Sequence, residues 1–212
     1  MYIFDFDKEN FNDFYEFIGI SQKELFQEVH NINEDSEYKQ LNCFKVISKA
    51  DIMIRGYHST KTSQKIPTSI LENGLQIPTQ DSLQQLYKNY LKELNLEDNQ
   101  HIIFECTNKI FFSITKYDAE INDNICKWGS RTVVAKISER FGDNYLKEIE
   151  KIWFPHVIKV NIPLSFFDIS EKEALCIYII KIISKKIINK DITNTYISKK
   201  LPSEYILKND FH

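Results

Sequence analysis

Apolar and polar positions along the chain follow two periods, and the changes between them mark the elements. Phe11, Phe14, Tyr15 and Ile18 recur at helical spacing. Ser21 followed by Glu24 is a capping-box pattern that opens a second helix carrying Leu25, Phe26 and Val29. The polar stretch Asn31–Lys39 reads as a loop and a boundary region, so residues 1–50 are expected to form an N-terminal helical extension and residues 51–212 the main domain. Asp51–Tyr57 reads as a strand ending at Gly56, Tyr57 and His58, followed by a hydroxyl-rich loop. Pro67–Asn73 reads as a short helix stopped by Gly74, and Asp81 as the cap of a longer helix whose inner face is Leu83, Leu86, Tyr87, Tyr90, Leu91 and Leu94.

Further along, Ile102–Cys106 and Lys109–Thr115 read as a hairpin turning at Thr107-Asn108. Ile125–Ile152 reads as helical pieces broken at Gly142, with Asp143 as a cap. His156–Ile162 alternates and stops at Pro163, as a strand would. Ser170 with Glu173 is a second capping-box pattern, opening a helix toward Ile188, and Leu201–Leu207 reads as a last strand. Helices and strands mix without a regular βαβ alternation, which predicts an α+β fold.

Composition narrows the classes. The chain has 212 residues, 42% of them apolar, enough for a real core, and only five Gly and five Pro. A net charge of −3 gives no global attraction to nucleic acid or membrane. The lysines between Glu171 and Lys200 read as a solvated helix face. The start, MYIFDFDKEN, lacks a basic n-region and a long apolar stretch, and Ala174–Ile183 is too short to span a bilayer, so a cytoplasmic protein without a membrane partner is expected. Cys43, Cys106, Cys126 and Cys176 are far apart with no CxxC pair, which argues against a zinc site and predicts no metal. There is no GxGxxG after a strand, no phosphate loop and no HExxH.

Two polar residues stand out against this background. His58 ends an apolar run and is followed by Ser59 and Thr60. Glu204 lies inside the otherwise apolar Leu201–Leu207, where a carboxylate is costly to bury unless it is paired or at work. A histidine can hydrogen-bond a sugar hydroxyl, a carboxylate can align a nucleophile or face a developing sugar cation, and an aromatic face can stack on a planar ring.

The segment carrying His58, Ser59, Thr60, Ile70, Leu71, Gly74 and Leu75 resembles the opening strand–loop–helix of the poly(ADP-ribose) polymerase-like, diphtheria-toxin-type branch of the ADP-ribosyltransferase superfamily. Lys109–Ser113 resembles that branch's second strand, and Glu204–Leu207 its Glu-Tyr-Ile-Val strand. The resemblance implies a split β-sandwich with flanking helices and NAD as substrate. It implies a mono-ADP-ribosyltransferase that releases nicotinamide and modifies a protein or nucleic acid acceptor. In those terms His58 and Glu204 are the catalytic residues, and Arg55, His58, Ser59, Thr60, Phe111, Ser113 and Tyr117 bind the dinucleotide. Ser59 stands where the branch has glycine and Phe111 where it has tyrosine, which keeps the stacking face and loses the hydroxyl; Tyr117 is a candidate for the missing ring. A competing alignment takes Arg55, Ser113 and Glu204 as an Arg-Ser-Glu set, and Arg55 is otherwise a candidate for the pyrophosphate. Chains of this size and type resemble bacterial toxins of toxin–antitoxin or anti-phage systems, which implies an antitoxin or immunity protein as partner. The alternatives are an NAD glycohydrolase or RNA 2′-phosphotransferase on the same scaffold, or a non-catalytic module that binds ADP-ribose or a partner.

Overall fold

In the computed structural model, residues 1–105, 108–121, 130–186 and 194–211 are described. The fold is α+β, built on one six-stranded sheet. Its strands are β1 (Tyr2–Phe4), β2 (Ile52–Thr62), β3 (Ile110–Ser113), β4 (Phe154–Pro163), β5 (Asn194–Ile197) and β6 (Ile206–Phe211). They run in the order β5-β3-β2-β4-β6, with β1 parallel to the start of β2 and the other pairs antiparallel. β1 and β3 therefore share one edge of β2: β1 pairs at Ile52–Ile54 and β3 at Tyr57, and the sheet forks between them.

β2 is longer than its apolar run predicts. It pairs with β4 from Met53↔Pro163 to Thr62↔Phe154, so the hydroxyl-rich stretch after His58 is strand, not loop, and His58 sits mid-strand. Ser59 and Lys61 are buried on one face, the half-buried His58 and Thr60 alternate with them, and a full-length partner satisfies the backbone that the polar side chains appeared to leave to solvent.

The N-terminal helices are α1 (Asn12–Ile18), α2 (Gln22–Val29), α3 (Asp35–Tyr38) and α4 (Asn42–Lys49). The Ser21–Glu24 capping box forms as expected. α3 occupies part of the stretch expected as loop and is opened by Glu34 and Glu37. These helices are not packed apart from the sheet. Phe4, Phe14 and Ile47 share one apolar cluster with Ile158, Ile179 and Leu201, and β1 itself joins β2.

After β2 come α5 (Thr68–Asn73), stopped at Gly74, and α6 (Gln80–Glu93). Thr79 caps α6 with Ser82 in place of Asp81, and Leu83, Tyr87, Tyr90 and Leu91 form its buried face. The expected hairpin has only its second arm. Ile102–Glu105 is held instead by side chains of α6: the Ile102 amide donates to Gln84 Oε1 (2.9 Å), and Phe104 exchanges bonds with Gln80. The turn at Thr107 and Cys106 lies outside the described residues, as do Cys126 and Trp128.

α7 (Lys116–Ile121) follows β3; α8 (Arg131–Phe141) and α9 (Leu146–Lys151) flank Gly142, where the break was expected. Asp143 begins a 3-10 turn there and accepts from Ser138. These helices, α6 and Ile102–Phe104 enclose a second apolar cluster of Leu83, Tyr87, Val133, Ile137 and Ile149, against which Trp153 packs. α10 (Ile169–Ile183) starts after Asp168, with no side-chain cap bond and no box at Ser170, and lies against the first cluster. Cys43 and Cys176 are buried free thiols, pushed by burial up to about 12. No helix among the described residues is long and apolar enough to cross a membrane, and none of their His, Cys, Asp and Glu side chains group as a metal site.

Candidate nucleotide cleft

Between the β2–β3 face of the sheet and the helices of the second cluster lies a cleft of about 500 Å³. That is within the range of small-ligand sites. The sheet contributes Tyr57, His58 and Ser59 from β2, Lys109 through Ser113 from and before β3, and Asn194 at the start of β5. α6 supplies Leu83 and Leu86, the first turn of α8 supplies Arg131 and Thr132, and Gln76 and Pro78 form the rim.

His58 is oriented by the neighbouring strand. Its Nδ1 lies 2.9 Å from the Phe111 carbonyl oxygen. A carbonyl only accepts, so Nδ1 carries the proton, and in the neutral ring Nε2 keeps its lone pair. Burial lowers the His58 pKa, opposed by that hydrogen bond, so the neutral ring is favoured. Its ring also meets Phe112 at 5.8 Å. Ser59 is buried and donates to the Ala119 carbonyl (3.1 Å). Phe111 is 41% exposed and its ring contacts Tyr196 at 5.8 Å, which leaves an aromatic face on the cleft. Ser113 is buried and its hydroxyl donates to Asn194 Oδ1 (3.2 Å) across the β3–β5 pair. Tyr57 donates to Asp7 (2.9 Å), and burial first, then this bond, pushes its pKa up.

The structure brings His58, Ser59, Phe111 and Ser113 together and leaves four expected site residues outside the cleft lining. Arg55 is bound to Asn161 (2.9 Å) and paired with Asp5 (3.2 Å). Thr60 stands opposite His156 of β4, away from β3. Tyr117 is 68% exposed on α7. Glu204 is exposed, in the 3-10 turn Ser203–Tyr205 and not within a strand. The reason is topological: the strand after that turn, β6, pairs with β4, whereas the strand beside β3 is β5. The residue the sheet brings to the cleft from the C-terminal part of the chain is therefore Asn194.

Lys109, Arg131 and Asn194 have no local pattern that marks them as site residues. The single readable signal was the short β-branched and aromatic run Asn194–Ile197, a strand in composition. Comparison with known proteins gives no match: no family model, curated protein sequence or solved structure is significantly similar to this chain.

Proposed function

We propose that the cleft binds NAD and that the chain is a mono-ADP-ribosyltransferase, releasing nicotinamide and passing ADP-ribose to a macromolecular acceptor. The observation that carries this reading is His58, which lines the cleft together with the exposed Phe111 and is held at Nδ1 by the Phe111 carbonyl, so that Nε2 is the acceptor atom of the neutral ring. That acceptor takes a hydrogen bond from a ribose hydroxyl, and the Phe111 ring stacks on the planar nicotinamide. Departure of nicotinamide leaves a cationic sugar, so positioning the two fragments supplies much of the rate.

A second reading, a module that holds NAD or ADP-ribose without turning it over, is favoured by one observation. Among the described residues that line the cleft, none is a carboxylate.

Incubation with NAD labelled in its adenylate half and a cell extract separates the two. The transferase reading expects nicotinamide release with label on a macromolecule, reduced at least about tenfold by His58→Ala through loss of an oriented hydrogen bond. Because Glu204 is exposed outside the cleft, Glu204→Gln is expected to keep near wild-type turnover. Binding without release establishes the module. Release without transferred label establishes a glycohydrolase. No binding at millimolar NAD refutes the dinucleotide reading.

A further inference from the structure

The chain has three arginines, and their surroundings differ in a way that marks one of them. Arg55 is paired with Asp5 and Arg140 with Asp98 (2.7 Å). Arg131 lines the cleft and, among the described residues, forms no ion pair with a carboxylate. Lys109 also lines the cleft and is likewise without a carboxylate partner among the described residues. Its ammonium sits 3.8 Å from the centre of the Tyr196 ring, which holds the charge in place without neutralising it.

These two cations come from different elements. Lys109 directly precedes β3 on the sheet side, and Arg131 opens α8 on the helical side. Ser113, Ser130 and Thr132 add hydroxyls to the same lining, and no described lining residue carries a negative charge. A planar guanidinium gives two parallel N–H groups to one phosphate, and an ammonium gives a compact point charge to another.

We propose that Lys109 and Arg131 form a diphosphate-binding pair, holding the two phosphates of a nucleotide ligand between the sheet and the helical side of the cleft. The identification of that ligand as NAD rests on the function proposed above; the recognition of a diphosphate does not. It assigns to Arg131 the role that the sequence pattern gave to Arg55.

The test is calorimetric titration of the full chain with three probes: ADP-ribose, inorganic pyrophosphate and nicotinamide. The proteins are the wild type, Arg131→Ala, Arg131→Lys and Lys109→Gln. In Arg131→Ala the Kd for ADP-ribose is expected to rise about tenfold or more and pyrophosphate binding to disappear, as when one charge-assisted contact is removed. Nicotinamide affinity stays at the wild-type value, because that probe has no phosphate. Arg131→Lys recovers part of the loss, which a merely structural role would not show, and Lys109→Gln weakens the same two phosphate probes. Wild-type affinity for ADP-ribose and pyrophosphate in both Arg131→Ala and Lys109→Gln overturns the pair, as does failure of the wild type to bind either probe. Binding of both phosphate probes that depends on Arg131, with no nicotinamide binding or release, upholds the pair and refutes NAD turnover. NAD turnover unaffected in affinity or rate by Arg131→Ala does the reverse.

Discussion

His58 and Gly74 show how much one position can decide. The His58 ring needs a neutral Nε2 to accept from a ligand hydroxyl, and burial lowers its pKa below the ordinary imidazole value near 6.5. The folded chain thus binds the proton more weakly than the unfolded chain does. The associated stability is fully present above the unfolded value and is lost as pH falls through the lowered one. Ligand binding is expected to be flat above about pH 6.5 and to fall below the depressed His58 value, where Nε2 becomes a donor. Titrations of ADP-ribose across pH check this, with His58→Ala as the variant that should remove the dependence. Gly74 has φ +76, and a Cβ there would stand 2.1 Å from the Leu201 carbonyl oxygen. That contact is the bridge between Leu75 and Leu201, where the chain after α5 meets the turn that leads to Glu204. Both the left-handed backbone and the clash oppose a side chain, so Gly74→Ala is expected to cost roughly 2–4 kcal/mol in denaturant unfolding.

At the scale of elements, polar side chains join pieces that the apolar pattern leaves separate. Lys61 of β2 is 7% exposed, and its ammonium donates to the carbonyls of Ile149 (3.1 Å) and Glu150 (2.9 Å) at the end of α9. It adds a donor to carbonyls in the last turn of that helix, where intrahelical partners run out, and ties the second cluster to the central strand. Lys61→Met keeps the stem and removes the donors, so it is expected to cost about 1–3 kcal/mol by thermal or denaturant melting. Loss of less than a few tenths would mean that solvent satisfies those carbonyls equally well. The same residue shows why parts of the fold were unreadable from the chain alone. The Ser21–Glu24 box and the stop at Gly74 are local signals and were legible. The hydroxyl-rich half of β2 was not, because its strand character comes from a partner about a hundred residues away in β4. Ile102 and Phe104 alternate inward with the exposed Ile103 as a strand would, yet their backbone partners are glutamine side chains of α6. Glu204 has the composition of a strand around it, but Pro202 opens a turn there and the pairing order sends the next strand to β4. Of the expected site, His58 and Ser59 of β2 line the cleft with Phe111 and Ser113 of β3, whereas Arg55 and Thr60 of the same β2, and Glu204, whose place depended on long-range strand order, do not.

For the whole molecule, the position of the cleft between two apolar clusters is the property with consequences. The first cluster runs from Phe4 through the sheet to Ile179 and Leu201, while the second is confined to α6, α8, α9 and Ile102–Phe104. Two of the junctions between them carry Asn108 (φ 65), before β3, and Trp153 (φ 63), before β4, both in the left-handed region without being glycine. Each such residue costs about 1–3 kcal/mol and persists where its surroundings over-determine it; the Trp153 ring, 4.6 Å from that of Tyr90, supplies that packing. A smaller core joined by strained crossings is expected to open below the global unfolding free energy. Amide exchange should therefore be faster in α6, α8 and α9 than in β2 and β4, where the ladder is continuous over Met53–Thr62. A ligand bridging Lys109 and Arg131 touches both sides, so saturating ADP-ribose should slow exchange in α6 and α8 more than in α10, which lies on the far cluster. Equal protection of both clusters in the free protein would show one cooperative unit, and the cleft would then be a fixed groove instead of a joint that ligand closes.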